Sequence, residues 1–159
     1  MPIIEVELDI AAPAAVCFDL ARSVEAHVAS AGTSGEQAVA GVTAGLLGLD
    51  DQVTWRGRHF GVVQELTSRI TAFDRPRHFR DEMVRGAFRS LTHDHYFEPM
   101  PSGTRMRDVF AFTAPLGILG RIAERAVLSE YLRRFLEGRA HVLKQLAESG
   151  EGKRFIGAA

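Results

Sequence analysis

Apolar and polar residues alternate along the first ten positions. Ile4, Val6, Leu8 and Ile10 interleave with Glu5, Glu7 and Asp9, the period-two signature of a half-buried strand. In "APAAVCFDLARSVEAHVAS" the period lengthens. Pro13 suits a first helical turn, and Val16, Phe18, Leu20, Val24 and Val28 supply apolar contacts, which predicts one or two short helices broken near Ser23. A short strand is expected around Gln37–Val42, followed by a glycine-rich loop. From Asp51 to Ala114 the pattern is a strand meander: Gln52–His59, Val62–Phe73, His78–Arg85, Leu91–Glu98 and Thr104–Thr113. It is punctuated by turns at "FG", "DRPR", "GAF" and "MPSG". Beyond "APLG", Leu128, Leu132, Phe135, Leu136, Val142, Leu143 and Leu146 recur at three- and four-residue spacing. They predict a long amphipathic helix from about Leu116 to Glu148, with a frayed tail after it.

Turn chemistry then sets register. Closing the last hairpin around "MPSG" pairs Pro99 with Thr104, Phe97 with Met106, His95 with Asp108, His93 with Phe110 and Leu91 with Phe112. The other face pairs Glu98 with Arg105 and Tyr96 with Arg107, so the two histidines face inward and Asp94 faces water. A one-residue slip would exchange the faces, so this sorting of charge supports the register. Upstream, Trp55 pairs with Leu66 inside and Arg56 with Glu65 outside. Ile70 with Asp81 and Leu66 with Arg85 follow inside, and Arg69 with Glu82 outside. The inner face thus collects Asp81, Arg85, His93, His95 and Asp108 among apolar residues. Buried unpaired charges cost several kcal/mol, so these groups imply a cavity between sheet and helix with apolar walls and one polar stripe. The "GAF" connection allows two registers. One sets Asp81, His95 and Asp108 in a row; the other sets Asp81 beside His93.

A carboxylate–imidazole–carboxylate cluster supports three readings: a self-satisfied network that orients strands or anchors a ligand's polar end, an acid–base pair acting on an enolisable ligand, or a metal site. Two histidines and a carboxylate could form a facial triad, with His59 as the third ligand considered, but His-x-His alone does not specify a metal and none is expected. The pair weighed as catalytic is His95, as general base or acid, with Asp108 orienting it; Arg85 would polarise a carbonyl or hold a carboxylate. The expected ligand-binding residues are Trp55, Leu66, Ile70, Asp81, Met83, Arg85, His93, Phe97, Phe110 and Phe112. Gly41, Gly45 and Gly48 lack dinucleotide-loop spacing and read as a flap or an ordinary loop. Cys17, in an apolar helical stretch, reads as core.

Composition narrows the class. The 159 residues favour one domain, here 1–148, with 149–159 a flexible tail. With 19 basic and 20 acidic residues interspersed, net charge is −1, and no field is directed at nucleic acid or anionic lipid. The single cysteine excludes an internal disulfide. The N-terminus lacks signal-peptide layout, and no apolar run approaches the ~20 residues that span a bilayer. A cytoplasmic protein without cofactor or stable membrane insertion is expected, with a homodimer left open.

The opening "IEVELDIAAPAAVCFDLAR", with Ile10, Ala12, Pro13, Val16 and Phe18, and the closing "GTRMRDVFAFTAPLGILG", with Gly103, Thr104, Met106, Asp108, Phe112, Pro115, Gly117, Leu119 and Gly120, resemble the START-like (SRPBCC) superfamily. The likeness is nearest to its polyketide cyclase/dehydrase-like branch. That resemblance implies an α+β helix-grip fold: a seven-stranded antiparallel sheet around a long C-terminal helix, with two short helices after the first strand and an internal cavity. It also implies binding of a small hydrophobic or amphipathic ligand, lipid- or polyketide-like. The alternative it carries is a cyclase or dehydratase that uses a cavity His/Asp pair. No catalytic set carries over position by position, so the cluster rests on the residues alone.

Overall fold

Strand β1 (Ile3–Ile10) buries Ile4, Val6 and Ile10 and exposes the acidic residues between them, as its alternation requires. Pro13 precedes helix α1 (Ala14–Ala21), and Ser23 breaks it from α2 (Val24–Ser30) by capping the second helix, its Oγ accepting from the Ala26 amide at 3.2 Å. A 3₁₀ turn at Gly32–Ser34 leads into β2 (Gln37–Gly41), β3 (Gln52–His59), β4 (Val62–Asp74), β5 (His78–Arg85), β6 (Ser90–Met100) and β7 (Gly103–Thr113). Helix α3 (Ser129–Ser149) and a short α4 (Lys153–Ile156) complete the chain. This computed structural model describes residues 1–115, 117, 122 and 127–157. Most of the expected helix between positions 116 and 126, including Leu119 and Gly120 of the closing motif, lies outside the described residues.

The seven strands form one antiparallel sheet in the order β1-β7-β6-β5-β4-β3-β2. It is a helix-grip sheet, with α1, α2 and α3 packed on its inner face through Phe18, Leu20, Leu132, Leu136 and Ala140. Phe18 makes edge-on contacts with Phe73, Phe79 and Phe97, which closes the core at one end. Gly103, with φ +143°, starts β7 where a Cβ would collide with the Ile10 carbonyl, so the "MPSG" turn needs glycine there.

The hairpin register of β6 and β7 agrees with the turn-based pairing at every position, as do Trp55 opposite Leu66 and Ile70 opposite Asp81. Three expectations are corrected. Between β4 and β5 the register shifts, so Ser68 faces Met83 but Thr67, not Leu66, faces Arg85. One extra residue on β5 reverses the side-chain direction beyond it, and Arg85 ends up exposed on the outer side. Asp94 is on the outer face yet only 6% exposed, because Arg80 donates to both its oxygens at 2.8 Å and His78 lies 2.7 Å away. The described part of the expected tail is not frayed: Gly152 packs on Leu20, and the Phe155 carbonyl accepts from Ser23 Oγ at 3.0 Å, holding α4 (Lys153–Ile156) against α1. No helix among the described residues is long and apolar enough to cross a membrane.

Candidate functional site

A cavity of about 290 Å³ lies between the inner face of β3–β7 and helix α3. Its walls are mainly apolar: Trp55, Leu66, Ile70, Phe79, Phe88, Leu91 and Phe110 from the sheet side, Leu132, Phe135 and Leu136 from the helix. Polar groups enter from two directions.

The first cluster is the histidine stripe. His95 sits between two carboxylates, its Nδ1 2.9 Å from Asp108 Oδ1 and its Nε2 3.0 Å from Asp81 Oδ2. Both carboxylates act as acceptors, so both ring nitrogens donate and the ring is an imidazolium. Burial alone would push its pKa down, but attraction by Asp108 and Asp81 prevails and lifts it to about 9. Asp81 pairs across the sheet with His93, the second of the two registers the "GAF" turn allows. Its carboxylate nevertheless reaches diagonally to His95, the neighbour two residues on. His93 rests against the His95 ring at a centroid distance of 3.8 Å, and its Nε2 is buried with no hydrogen-bond partner, 3.8 Å from Asp108 Oδ1. Burial, then the charge on His95, hold its pKa well below the usual histidine value, so His93 is neutral.

The second cluster has no counterpart as a unit in the sequence pattern. Arg139 Nη2 donates to His27 Nδ1 at 2.6 Å. Because a guanidinium only donates, that nitrogen carries the lone pair, and the proton is on Nε2, which donates to Glu36 Oε2 at 2.6 Å. Burial, aided by the Arg139 charge, keeps the His27 pKa down at about 4. Glu36 Oε1 meets His59 Nε2 at 3.2 Å, and His59 Nδ1 lies 2.7 Å from the Tyr131 hydroxyl. Burial opposes the Glu36 charge, but the bonds from His27 and His59 overcome it and hold the carboxyl below its ordinary range. Trp55 stacks on His27 at 3.7 Å, joining this cluster to the apolar wall of the cavity.

Of the residues expected from sequence, Trp55, Leu66, Ile70, Asp81, His93, His95 and Phe110 line the cavity. Asp108 borders a small adjoining space of about 30 Å³ beneath the histidines, with Met106 and Ala140. Phe97 and Phe112 are fully packed core residues, Met83 packs against the core beside Gly86, and Arg85 is on the surface. Sequence reasoning missed His27, Glu36, Tyr131 and Arg139 as site residues and weighed His59 only as a metal ligand. Two signals could have found them. Gly57 interrupts β3 because a Cβ there would lie 2.6 Å from Glu36 Cγ: the missing side chain lets Glu36 cross the strand. Arg139 stands inside the apolar stripe of α3, between Leu136 and Leu143, where a charge has no place without a cavity.

The arrangement constrains chemistry. Both N–H groups of His95 are committed, so it has no lone pair with which to act as a base. Asp81, half-buried and facing the cavity, is the member of the cluster that a ligand would meet. Asp81, His93 and His95 also have donor atoms within 4.8 Å of one another, the one such group among the described residues. Holding an ion there would require His95 to give up its bond to Asp81.

A model of the family described as polyketide cyclase/dehydrase and lipid transport matches residues 1–148. Among solved structures, the Thermus thermophilus protein TTHA0849 superposes with a TM-score of 0.77 at 17% identity, covering 94% of this chain and 99% of that one. The Zhui aromatase/cyclase from Streptomyces sp. R1128 gives 0.73 at 14% identity, covering 96% and 94%. A START superfamily protein from Mycobacterium smegmatis gives 0.70 at 14%, covering 92% and 97%. At these identities the likeness is one of fold. No curated protein sequence matches the chain significantly.

Proposed function

The chain belongs to the polyketide cyclase/dehydrase and lipid transport family, and from that premise we propose that its cavity binds a small, mainly apolar molecule whose polar end is oriented by the two ionic clusters. The observation that carries this reading is the cavity itself. A space of about 290 Å³, with aromatic and aliphatic walls and a few convergent polar groups, is the usual form of a ligand pocket. Apolar contact with Trp55, Leu66 and Phe110 would supply most of the affinity. A cytoplasmic place of action is part of this reading, supported by the single buried Cys17, which needs no oxidising compartment.

The test is titration with N-phenyl-1-naphthylamine, a neutral apolar fluorophore. Saturable one-to-one binding is expected, weakened at least about tenfold in Leu66→Trp, which fills the cavity. Absence of saturable binding, or binding indifferent to Leu66→Trp in a folded protein, overturns the reading.

A second reading is supported by Asp81 facing the ligand space beside an imidazolium, on a fold shared with an aromatase/cyclase. In it the chain is a cyclase or dehydratase: Asp81 exchanges the proton, and His95 and Asp108 position it. Loss of turnover with ligand affinity retained in Asp81→Asn would favour this reading over simple binding.

A further inference from the structure

Two arginines line the cavity, and they differ in what they touch. Arg22 is bound to Asp19 at 2.7 Å. Arg139 contacts no carboxylate among the described residues: its Nη2 donates to His27 Nδ1 at 2.6 Å and its Nε to Ser30 Oγ at 3.4 Å. Both partners are neutral acceptors. A guanidinium carries five N–H groups, so three remain without an acceptor among the described residues.

The acids nearby are already occupied. Glu36 accepts from His27 through one oxygen and lies against His59 through the other. Asp81 and Asp108 are both held by His95. Arg139 therefore has its charge balanced at a distance, while it lines the cavity with no bond from Nη1 among the described residues. A half-buried cation in a mostly apolar space is costly unless an acceptor completes it. The planar fork matches a carboxylate with two parallel bonds.

We propose that Arg139 is the anchor for a carboxylate on the ligand, so that the cavity selects apolar acids over the corresponding alcohols and esters. This rests on the cavity-binding reading above and deepens it. The surrounding carboxylates of Glu36, Asp81 and Asp108 oppose a free anion, so selection depends on direct contact with the guanidinium and not on a diffuse field. The apolar body of the acid would then lie along Trp55 and the aliphatic wall. His27 acts as a positioning residue: stacked on Trp55 and bonded to Glu36, it fixes where the guanidinium points.

The experiment compares three heads on two bodies: decanoic acid, methyl decanoate and decanol, and 2-naphthoic acid, its methyl ester and 2-naphthol. Each is titrated calorimetrically, with Trp55, the sole tryptophan, as a fluorescence check. In the wild type, the acid of at least one series should bind about tenfold or more tighter than its ester and alcohol. Arg139→Gln should abolish that preference, bringing acid and alcohol affinities within about threefold of each other, and Arg139→Lys should retain part of it. Equal binding of acid and alcohol in the wild type, or a preference that survives in Arg139→Gln, overturns the assignment of Arg139 and leaves the cavity reading intact. If none of the six compounds binds, the assignment of Arg139 fails, and the N-phenyl-1-naphthylamine titration decides the cavity reading separately. If Arg139→Gln does not fold, the wild-type comparison together with Arg139→Lys decides alone.

Discussion

Asp81 and His95 are bonded at 3.0 Å although the sheet does not pair them: Asp81 lies opposite His93, and its carboxylate crosses diagonally to the next inward residue of β6. With Asp108 on the far side of the ring, His95 becomes a cation shared between two acids on three adjacent strands. The cluster thus ties β5, β6 and β7 together as well as furnishing the cavity.

Removing the imidazole leaves Asp81 and Asp108 unbridged in a buried setting. His95→Gln should cost about 3–5 kcal/mol, read as a lowered urea midpoint with unchanged slope. Adding Asp108→Asn should recover part of that loss, because one of the stranded charges is gone. Additive losses in the double variant would mean that the cluster is not a coupled unit.

The central histidines of the two clusters, His95 and His27, titrate in opposite directions. The folded pKa of His95 is raised from 6.5 to about 9, so its stabilising contribution is complete below about pH 6.5 and is lost as pH rises through 9. His27 has its folded pKa depressed to about 4, so protonation in the unfolded state weakens the fold as pH falls from 6.5 towards 4. Thermal unfolding across pH should therefore decline on both sides of a maximum near neutrality. His27→Gln should make the acid side shallower, the part due to buried neutral His93 remaining, and leave the alkaline side in place.

Gly57 makes room for Glu36. Gly57→Ala should displace the carboxylate and cost about 1–3 kcal/mol through overpacking. Proton NMR should then show displaced His59 ring resonances, because His59 loses its contact with Glu36 Oε1 at 3.2 Å. An unperturbed His59 would show that Glu36 can move aside without consequence.

Unbroken pairing of β4 with β5 would aim Arg85 into the cavity; the extra residue exposes it on the outer side of β5 instead. Arg85→Ala should leave binding of N-phenyl-1-naphthylamine unchanged and stability within about 0.5 kcal/mol. A large loss of binding would mean that the register shift closes up in solution.

Local pattern was enough to specify the strands of the meander, the short helices after β1 and most of the hairpin register. The closed count of seven strands came from the family resemblance, and the pairing of β1 with β7 from the structure. Period-two alternation in β1, turn residues at "MPSG" and complementary charges at Glu98 and Arg105 each act within a few residues of where they are written. The inward placement of His93, His95, Asp81 and Asp108 followed from them. Other features depend on the folded chain as a whole. A single extra residue in β5 turned Arg85 outward. A turn with two allowed closures set Asp81 opposite His93 and yet within reach of His95. The second cluster joins α2, the link before β2, the end of β3 and α3, elements up to 112 residues apart along the chain. No periodicity encodes that meeting, because it arises only when the helices close over the sheet and the missing side chain of Gly57 lets Glu36 through. Periodic pattern specifies which face a residue takes; packing specifies which faces meet, and the candidate site lies where they do.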